Sequence, residues 1–182
     1  MNEKFFFNKY INNFSKLLNE HAHLTEELVN IRKILLNIKK NKKKVMIFGN
    51  GGSSSIANHF STDLTKFSRI RSVVCNESNL ITCFANDYGF ENWIKKSIEF
   101  YGDKGDCLII ISSSGQSKNI INGCIQAKKS KFSSIITLTG FKKNNSVNKL
   151  GNINIWINSN SYNYVENIHQ ILLLSIVDSL KL

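Results

Sequence analysis

Proline is absent from the sequence, which is 182 residues long. Proline commonly marks the turns and linkers that separate domains, and the chain also lacks an internal linker or a low-complexity segment. The length suits one domain with a sizeable core. These features predict a single domain over residues 1–182.

Long apolar runs are missing as well. No run approaches the roughly 20 residues that a membrane-spanning helix needs. The first residues, MNEKFFFNKY, hold an apolar patch that is short and flanked by charge, which is not typical of a signal peptide. The sequence therefore predicts a cytoplasmic protein with no membrane partner.

Cysteine is scarce and shows no motif. The four cysteines are Cys75, Cys83, Cys107 and Cys124, and no two of them have a short paired spacing. This pattern argues against a disulfide framework and against a cysteine zinc site. We expect all four to be reduced and to lie in or near the core.

Acidic residues are outnumbered: 13 Asp and Glu stand against 24 Lys and Arg, which gives a formal net charge of +11. The stretches KKNKKK (39–44) and FKKNN (141–145) lack the interleaved aromatics and arginine clusters that base recognition uses. This disfavours nucleic acid as a partner. A positive field favours anionic small molecules instead.

Apolar periodicity predicts an α/β protein. Two helices, at 3–21 and 24–38, precede the first strand. Short apolar runs then alternate with helical patterns, which is typical of a mostly parallel sheet with helices on both faces. The predicted strands are 44–48, 72–75, 107–112, 133–139 and 153–157, and the predicted helices between them lie near 54–66, 90–101 and 117–129.

The last predicted helix, 164–180, carries apolar residues on more than one face, around ILLLSIV. Together with the two leading helices it presents more apolar surface than one sheet can cover. We therefore expect a homo-oligomer in which the helical hairpin at residues 1–40 takes part in the association.

Small polar loops follow two of the predicted strands. Gly49 to Ser53 follows the first strand, and SSSGQS, Ser112 to Ser117, follows the third. Ligands of parallel sheets bind beyond the carboxyl ends of the strands, where helix N-terminal amides and serine hydroxyls can surround a phosphate. Either loop alone could be a simple strand-to-helix turn, but the two together predict a phosphate-ester site.

Three stretches carry a resemblance to a known family. GNGGSSSIANHFSTDL, CFANDYGFENW and ISSSGQSKNIINGCIQAKK, in this order and spacing, resemble the sugar isomerase (SIS) domain and, within it, the phosphoheptose isomerases. Members of that family convert sedoheptulose 7-phosphate to a heptose 7-phosphate. The resemblance implies a flavodoxin-like three-layer sandwich, with a five-stranded parallel sheet, helices on both faces and two extra N-terminal helices. It also implies a homotetramer whose active sites are shared between subunits.

The same resemblance implies roles for individual residues. The sugar phosphate would be held by Ser112, Ser113, Ser114 and Ser117. The rest of the substrate would be lined by Asn50, Gly51, Gly52, Ser53, Asn86, Asp87 and Glu166.

An aldose–ketose shift needs a base for a carbon-bound proton and a stabiliser of the enediolate. His59 and Asp63 are four residues apart, so on a helix they suit either two ligands of one metal ion or a base and the residue that orients it. A surface hydrogen-bonded pair is the simpler alternative. In zinc-dependent members of the family the matching positions are histidine and glutamate, and the glutamate is both metal ligand and base. Asp63 is one methylene shorter.

The final helix departs further from the family. Alignment puts Glu166 where a glutamine binds metal and substrate, and Leu174 where a second histidine binds metal and acts as an acid. We predict His59, Asp63 and Glu166 as ligands if zinc is bound, and Asp63 and His169 as the catalytic residues. His169 lies about 140° around the helix from position 174, so a packed interface histidine is the competing interpretation. Gln170 points closer than His169 to the direction of position 174, but an amide is a poor acid.

The predicted function is isomerisation of a phosphorylated ketose, plausibly sedoheptulose 7-phosphate, that feeds heptose into a surface polysaccharide such as capsule or lipopolysaccharide. The alternative is a non-catalytic SIS-domain protein. Such a protein would bind a sugar phosphate or, like some relatives of this fold, the bacterial replication initiator.

Overall fold

The computed structural model describes residues 2–181. Short 3-10 turns at Ala22–Leu24 and Phe90–Asn92 precede the second and fifth helices. The helices and strands are α1 (Glu3–Glu20), α2 (Thr25–Lys40), β1 (Val45–Gly49), α3 (Gly52–Ser68), β2 (Ser72–Val73), α4 (Ser78–Tyr88), α5 (Trp93–Tyr101), β3 (Cys107–Ser112), α6 (Lys118–Lys129), β4 (Ser134–Thr139), β5 (Ile153–Trp156) and α7 (Tyr162–Ser179).

The five strands form one parallel sheet in the order β2-β1-β3-β4-β5, as the sequence predicts for the fold class. This order is that of the flavodoxin-like doubly wound folds, whose ligands bind where the strand order reverses, between β1 and β3. Gly49 at the end of β1 pairs with Ile111 near the end of β3. The two polar loops therefore leave the sheet side by side.

Two hydrophobic layers enclose the sheet. Val45, Ile47 and Ile109 face the layer formed by α2, α3 and α7. The alternate strand residues Met46 and Phe48 face the layer formed by α5 and α6. Successive strand residues point to opposite faces, so the central strands β1 and β3 are buried on both sides and read as nearly continuous apolar runs.

Two local features differ from the prediction. Helix α4 was not predicted, although Leu80, Ile81 and Phe84 are spaced for one face of a helix and pack, partly buried, against the layer of α5 and α6. Strand β2 ends at Val73, earlier than predicted, and Cys75 beyond it has a φ of 45° that no strand residue adopts.

The cysteines are all unpaired, and three of them are buried. Burial raises the pKa of Cys107 and of Cys124 to about 12, and that of Cys75 to about 11, so these thiols stay protonated. Cys83 is the exception, because it lies exposed on α4, and its predicted place in or near the core is wrong.

Helix α1 lies on the outside of the molecule and buries none of its side chains. It is attached to α7 through Tyr164, whose ring centroid is 4.7 Å from that of Tyr10 and whose hydroxyl donates to the Tyr10 carbonyl. No helix within residues 2–181 combines the length and the apolar content that crossing a membrane requires.

Candidate functional site

The loop between β3 and α6, Ser112 to Ser117, is held in one shape by its own hydrogen bonds and by its neighbours. The Ser112 hydroxyl accepts from the Gly115 amide at 3.3 Å, and the Ser114 hydroxyl accepts from the Gln116 amide at 3.4 Å. Gly115 has a φ of 62°, and a side chain there would also collide with Asn145. Glycine is therefore required by both backbone and packing.

Two features of this serine loop leave it open to an anion. Ser117 occupies the N-cap position of α6, but its side chain makes no capping hydrogen bond to the described part of the chain. The first amides of α6 therefore remain available, and a helix N-terminus attracts negative charge. The buried hydroxyl of Ser113 also has no partner within residues 2–181, and such a group is costly unless a ligand or water satisfies it.

The glycine elbow between β1 and α3 faces the serine loop. Asn50 is tied to Asn119 on α6 by two reciprocal amide hydrogen bonds of 2.9 and 3.2 Å. These bonds join the elbow to the first turn of the helix that follows the serine loop.

On the other side of the elbow the carboxylate of Glu166, from α7, lies against Gly52. A side chain at Gly52 would collide with it. The Ser53 hydroxyl donates to Glu166 Oε1 at 3.4 Å. The absence of a side chain at Gly52 therefore makes room for Glu166, and the predicted contact of Gly52 with the substrate stays a prediction.

A cavity of about 210 Å³ lies between the elbow and the serine loop. Apart from Ile111 and Tyr162, all of its lining residues are ones that the sequence predicts as substrate-binding. They are Asn50, Ser53, Ser112, Ser113, Ser114, Ser117 and Glu166.

A larger cavity of about 430 Å³ lies at the β2 edge, lined by residues that include Ser61, Ser72 and Tyr101. None of the predicted site residues lines it. The smaller cavity is at the carboxyl ends of β1 and β3, where this fold class binds ligands, and we take it as the candidate site.

The His59–Asp63 pair lies further along α3. His59 is six residues beyond Ser53, which corresponds to about 9 Å of helix. Its Nε2 is 3.3 Å from Asp63 Oδ2, and its Nδ1 is 3.2 Å from Nε2 of Gln170 on α7. Since Ser53 meets Glu166 and His59 meets Gln170, α3 and α7 run parallel, and one seam between them connects the cavity with this pair.

The predicted metal set is not assembled. Among residues 2–181 there is no group of three or more His, Cys, Asp and Glu side chains that could hold a metal ion. Glu166 is engaged at the elbow, whereas both ring nitrogens of His59 contact protein atoms. The donors that this chain supplies therefore do not fit a zinc site, for which three protein ligands are the usual minimum.

The structure does not bring His169 to the cavity. The side chain is fully buried, and its Nε2 lies 3.2 Å from the carbonyl oxygen of Thr139, to which it donates. Burial lowers the pKa of His169 to about 4. This placement matches the packed histidine that the sequence left as the competing interpretation.

Three other predicted substrate contacts lie outside the cavity. Asn86 and Asp87 are exposed on α4 and are joined by a 2.9 Å hydrogen bond, while Gly51 lies exposed at the start of α3. Within one chain these residues do not meet the serine loop.

Sequence reasoning missed Asn119 and Tyr162. Asn119 follows the serine loop by two residues, and its burial beside Asn50 arises only when two distant loops meet. Tyr162 opens α7 with no motif around it. The contact of Gln170 with His59 was not predicted either, although the helical wheel does point Gln170 towards this side.

Comparison with known proteins agrees with the motifs. The family described as "SIS domain" matches residues 9–140. A phosphoheptose isomerase of Fusobacterium nucleatum subsp. nucleatum is 46% identical over 91 residues, covering 47% of this chain and 47% of that protein. One from Glaesserella parasuis is 35% identical over 137 residues, covering 72% of this chain and 69% of that protein.

A solved structure of a phosphoheptose isomerase from Francisella tularensis superimposes with a TM-score of 0.92 at 24% identity, over 99% of this chain and 98% of that one. The structural match therefore extends over the entire fold. The sequence alignments span from about half to about two thirds of the two relatives' own length.

Proposed function

Since the chain belongs to the SIS-domain family and, within it, to the phosphoheptose isomerases, we propose that it isomerises a phosphorylated ketose to the aldose, with sedoheptulose 7-phosphate as substrate. The observation that carries this proposal is the cavity in which the serine loop and the glycine elbow meet. It combines an anion site with acceptors suited to sugar hydroxyls.

The phosphate belongs in the serine loop. The loop offers hydrogen-bond donors to a phosphate: the serine hydroxyls, among them that of Ser113, which has no partner within residues 2–181, and the uncapped amides at the start of α6. The loop itself contains no carboxylate. Glu166 lies on the elbow side, where its carboxylate can only accept, so it suits the hydroxyls of the sugar.

The reacting carbons of this substrate lie at the opposite end from its phosphate. With the phosphate in the serine loop, the sugar extends along the α3–α7 seam towards His59 and Asp63. Asp63 takes a proton from C1, the electrons of that C–H bond form the C1–C2 double bond, and the C2 carbonyl oxygen gains a proton. Asp63 then returns its proton to C2 while the C1 hydroxyl loses one. All four proton movements balance without an added reactant.

Further parts of the proposal come from the family resemblance. A homotetramer would bring Asn86 and Asp87 of other subunits within reach of a shared site, and the product would supply heptose for a surface polysaccharide. Zinc would need ligands beyond those that residues 2–181 assemble, so no step is assigned to it.

The test is to incubate the purified protein with sedoheptulose 7-phosphate, with and without added zinc, and to follow the aldose. Asp63→Asn should bind the sugar phosphate and form no product, because an amide cannot accept the carbon-bound proton. Ser114→Ala and Ser117→Ala should instead weaken binding, each by about 1–3 kcal/mol.

Tight binding without product in either condition would favour the non-catalytic, regulatory alternative. Full turnover by Asp63→Asn would remove Asp63 as the base and direct attention to Glu166.

A further inference from the structure

His59 lies between two polar side chains that come from different helices. Asp63 follows it by one turn on α3, and Gln170 reaches it from α7. The His59 side chain is 48% exposed and that of Asp63 is 23% exposed, so the group lies at the open edge of the seam.

The chemistry of the amide fixes the direction of these hydrogen bonds. An amide nitrogen only donates, so Gln170 Nε2 donates to His59 Nδ1, which must carry a lone pair. In a neutral imidazole the other nitrogen then carries the hydrogen. His59 Nε2 therefore donates to Asp63 Oδ2, which lies 3.3 Å away.

We infer that Gln170 is a positioning residue that holds the orientation of the His59 ring and, through it, that of the Asp63 carboxylate. The Asp63 carboxylate only accepts, so by itself it selects the Nε2–H tautomer of His59. One hydrogen bond from the same helix still lets the ring tilt and rotate, and the second bond, from Gln170 on α7 to Nδ1, holds the ring at both nitrogens. As a statement about the base of the isomerisation, this inference rests on the proposed function.

Two consequences follow for the site. Asp63 Oδ2 is engaged by His59, so Oδ1 is the oxygen that remains for a proton from the substrate. Both His59 nitrogens are also engaged, so a metal would have to displace a protein partner to bind there. This agrees with the finding that residues 2–181 assemble no group of three metal-binding side chains.

The experiment is long-range ¹H–¹⁵N NMR of the ligand-free protein, which reports which imidazole nitrogen of His59 carries the hydrogen. We expect the Nε2–H tautomer in the wild type. Gln170→Leu should keep the Nε2–H tautomer, because Asp63 still accepts from Nε2, but the ¹⁵N signal of Nδ1 should move downfield when its lone pair loses the amide donor.

Turnover should follow the orientation of the His59 ring. Gln170→Leu should lower kcat about 10- to 100-fold, the range seen when a group that orients a functional side chain is removed, and should change KM little. Asn167→Ala is the matched control. It removes an exposed amide from the same helix whose only side-chain hydrogen bond within residues 2–181 is to the Asn163 carbonyl, and it should change neither the Nδ1 signal of His59 nor kcat.

Addition of one equivalent of zinc supplies the second readout. Unchanged ¹⁵N shifts of His59 support the inference, whereas the shift of a coordinated nitrogen would overturn it. A dominant Nδ1–H tautomer in the wild type, or a Gln170→Leu variant with an unchanged Nδ1 signal and unchanged kcat, would also overturn it. A wild type that has the Nε2–H tautomer but forms no aldose would count against the proposed function and leave the assignment of the hydrogen bonds standing.

Discussion

Gly52 is the residue on which the shape of the elbow depends most directly. It has no side chain, and the carboxylate of Glu166 occupies the space where one would be. Gly52→Ala should displace Glu166 and weaken the binding of a sugar phosphate. The fold should be unharmed, since Gly52 begins α3 and alanine is favoured over glycine in helices by about 1 kcal/mol. Calorimetric titration and urea unfolding would measure the two effects separately.

Its neighbour Gly51 provides the control. Gly51 has a φ of 53° with a ψ of −124°, and a side chain there would meet no atom within 4 Å. Gly51→Ala should therefore lower the free energy of unfolding by about 1–3 kcal/mol through backbone strain alone. Equal losses of binding in both variants would show that Glu166 is not the cause.

His169 predicts a dependence of stability on pH. Burial lowers its pKa from 6.5 to about 4 in the folded protein, so between these values the unfolded chain binds more protons. The contribution of His169 to the free energy of unfolding should accordingly be largest above pH 6.5. It should fall by on the order of 3 kcal/mol as the pH drops to about 4. His169→Leu should show a shallower fall in urea unfolding at a series of pH values. An identical slope in the variant would contradict the assignment.

At the scale of elements, the contact between α5 and α6 is unusually close at one point. A side chain at Gly123, in the middle of α6, would lie 2.5 Å from Ile94 Cγ2 on α5. Gly123→Ala should lower the free energy of unfolding by about 1–3 kcal/mol despite the better helix propensity of alanine. Ile94→Ala removes the obstacle, so the double variant should cost less than the sum of the single ones. Additive effects would mean that contact with Ile94 is not what makes Gly123→Ala destabilising.

The elements also show what the sequence can and cannot predict. The strands and the buried helices were predictable because β1 and β3 are continuous apolar runs and α3 and α6 carry one apolar stripe each. Helix α4 was missed although it carries a short stripe of its own, formed by Leu80, Ile81 and Phe84, which are only partly buried.

The candidate site also has parts that the sequence can predict and parts that it cannot. The serine loop and the elbow are local motifs at strand ends, and the sequence shows them directly. The Asn50–Asn119 pair and the His59–Gln170 contact join residues 69 and 111 positions apart, and no periodicity encodes them. His169 was misplaced because a helical wheel gives the direction of a side chain, not the depth at which the helix packs.

At the scale of the whole molecule, α1 presents an apolar surface without cover in the single chain. Phe5 is 61% exposed, Phe7 is 62% exposed and Ile11 is 63% exposed. We predict that this surface contacts other copies in a homotetramer. Light scattering at micromolar concentration should give the mass of the tetramer, and the double variant Phe5→Ser, Phe7→Ser should shift it to smaller species with an intact fold, since neither ring is buried in the monomer. A monomeric wild type would remove the shared-site part of the proposal.

The proposed reaction moves a carbon-bound proton within a sugar phosphate, and ¹H NMR of sedoheptulose 7-phosphate incubated with the wild-type protein in D₂O follows that proton. We predict an aldose that carries deuterium at C2, because the proton on a partly exposed Asp63 exchanges with solvent, and no deuterium incorporation with Asp63→Asn. A wild-type protein that binds the substrate but yields neither aldose nor deuterium incorporation, with or without zinc, would contradict the proposed reaction.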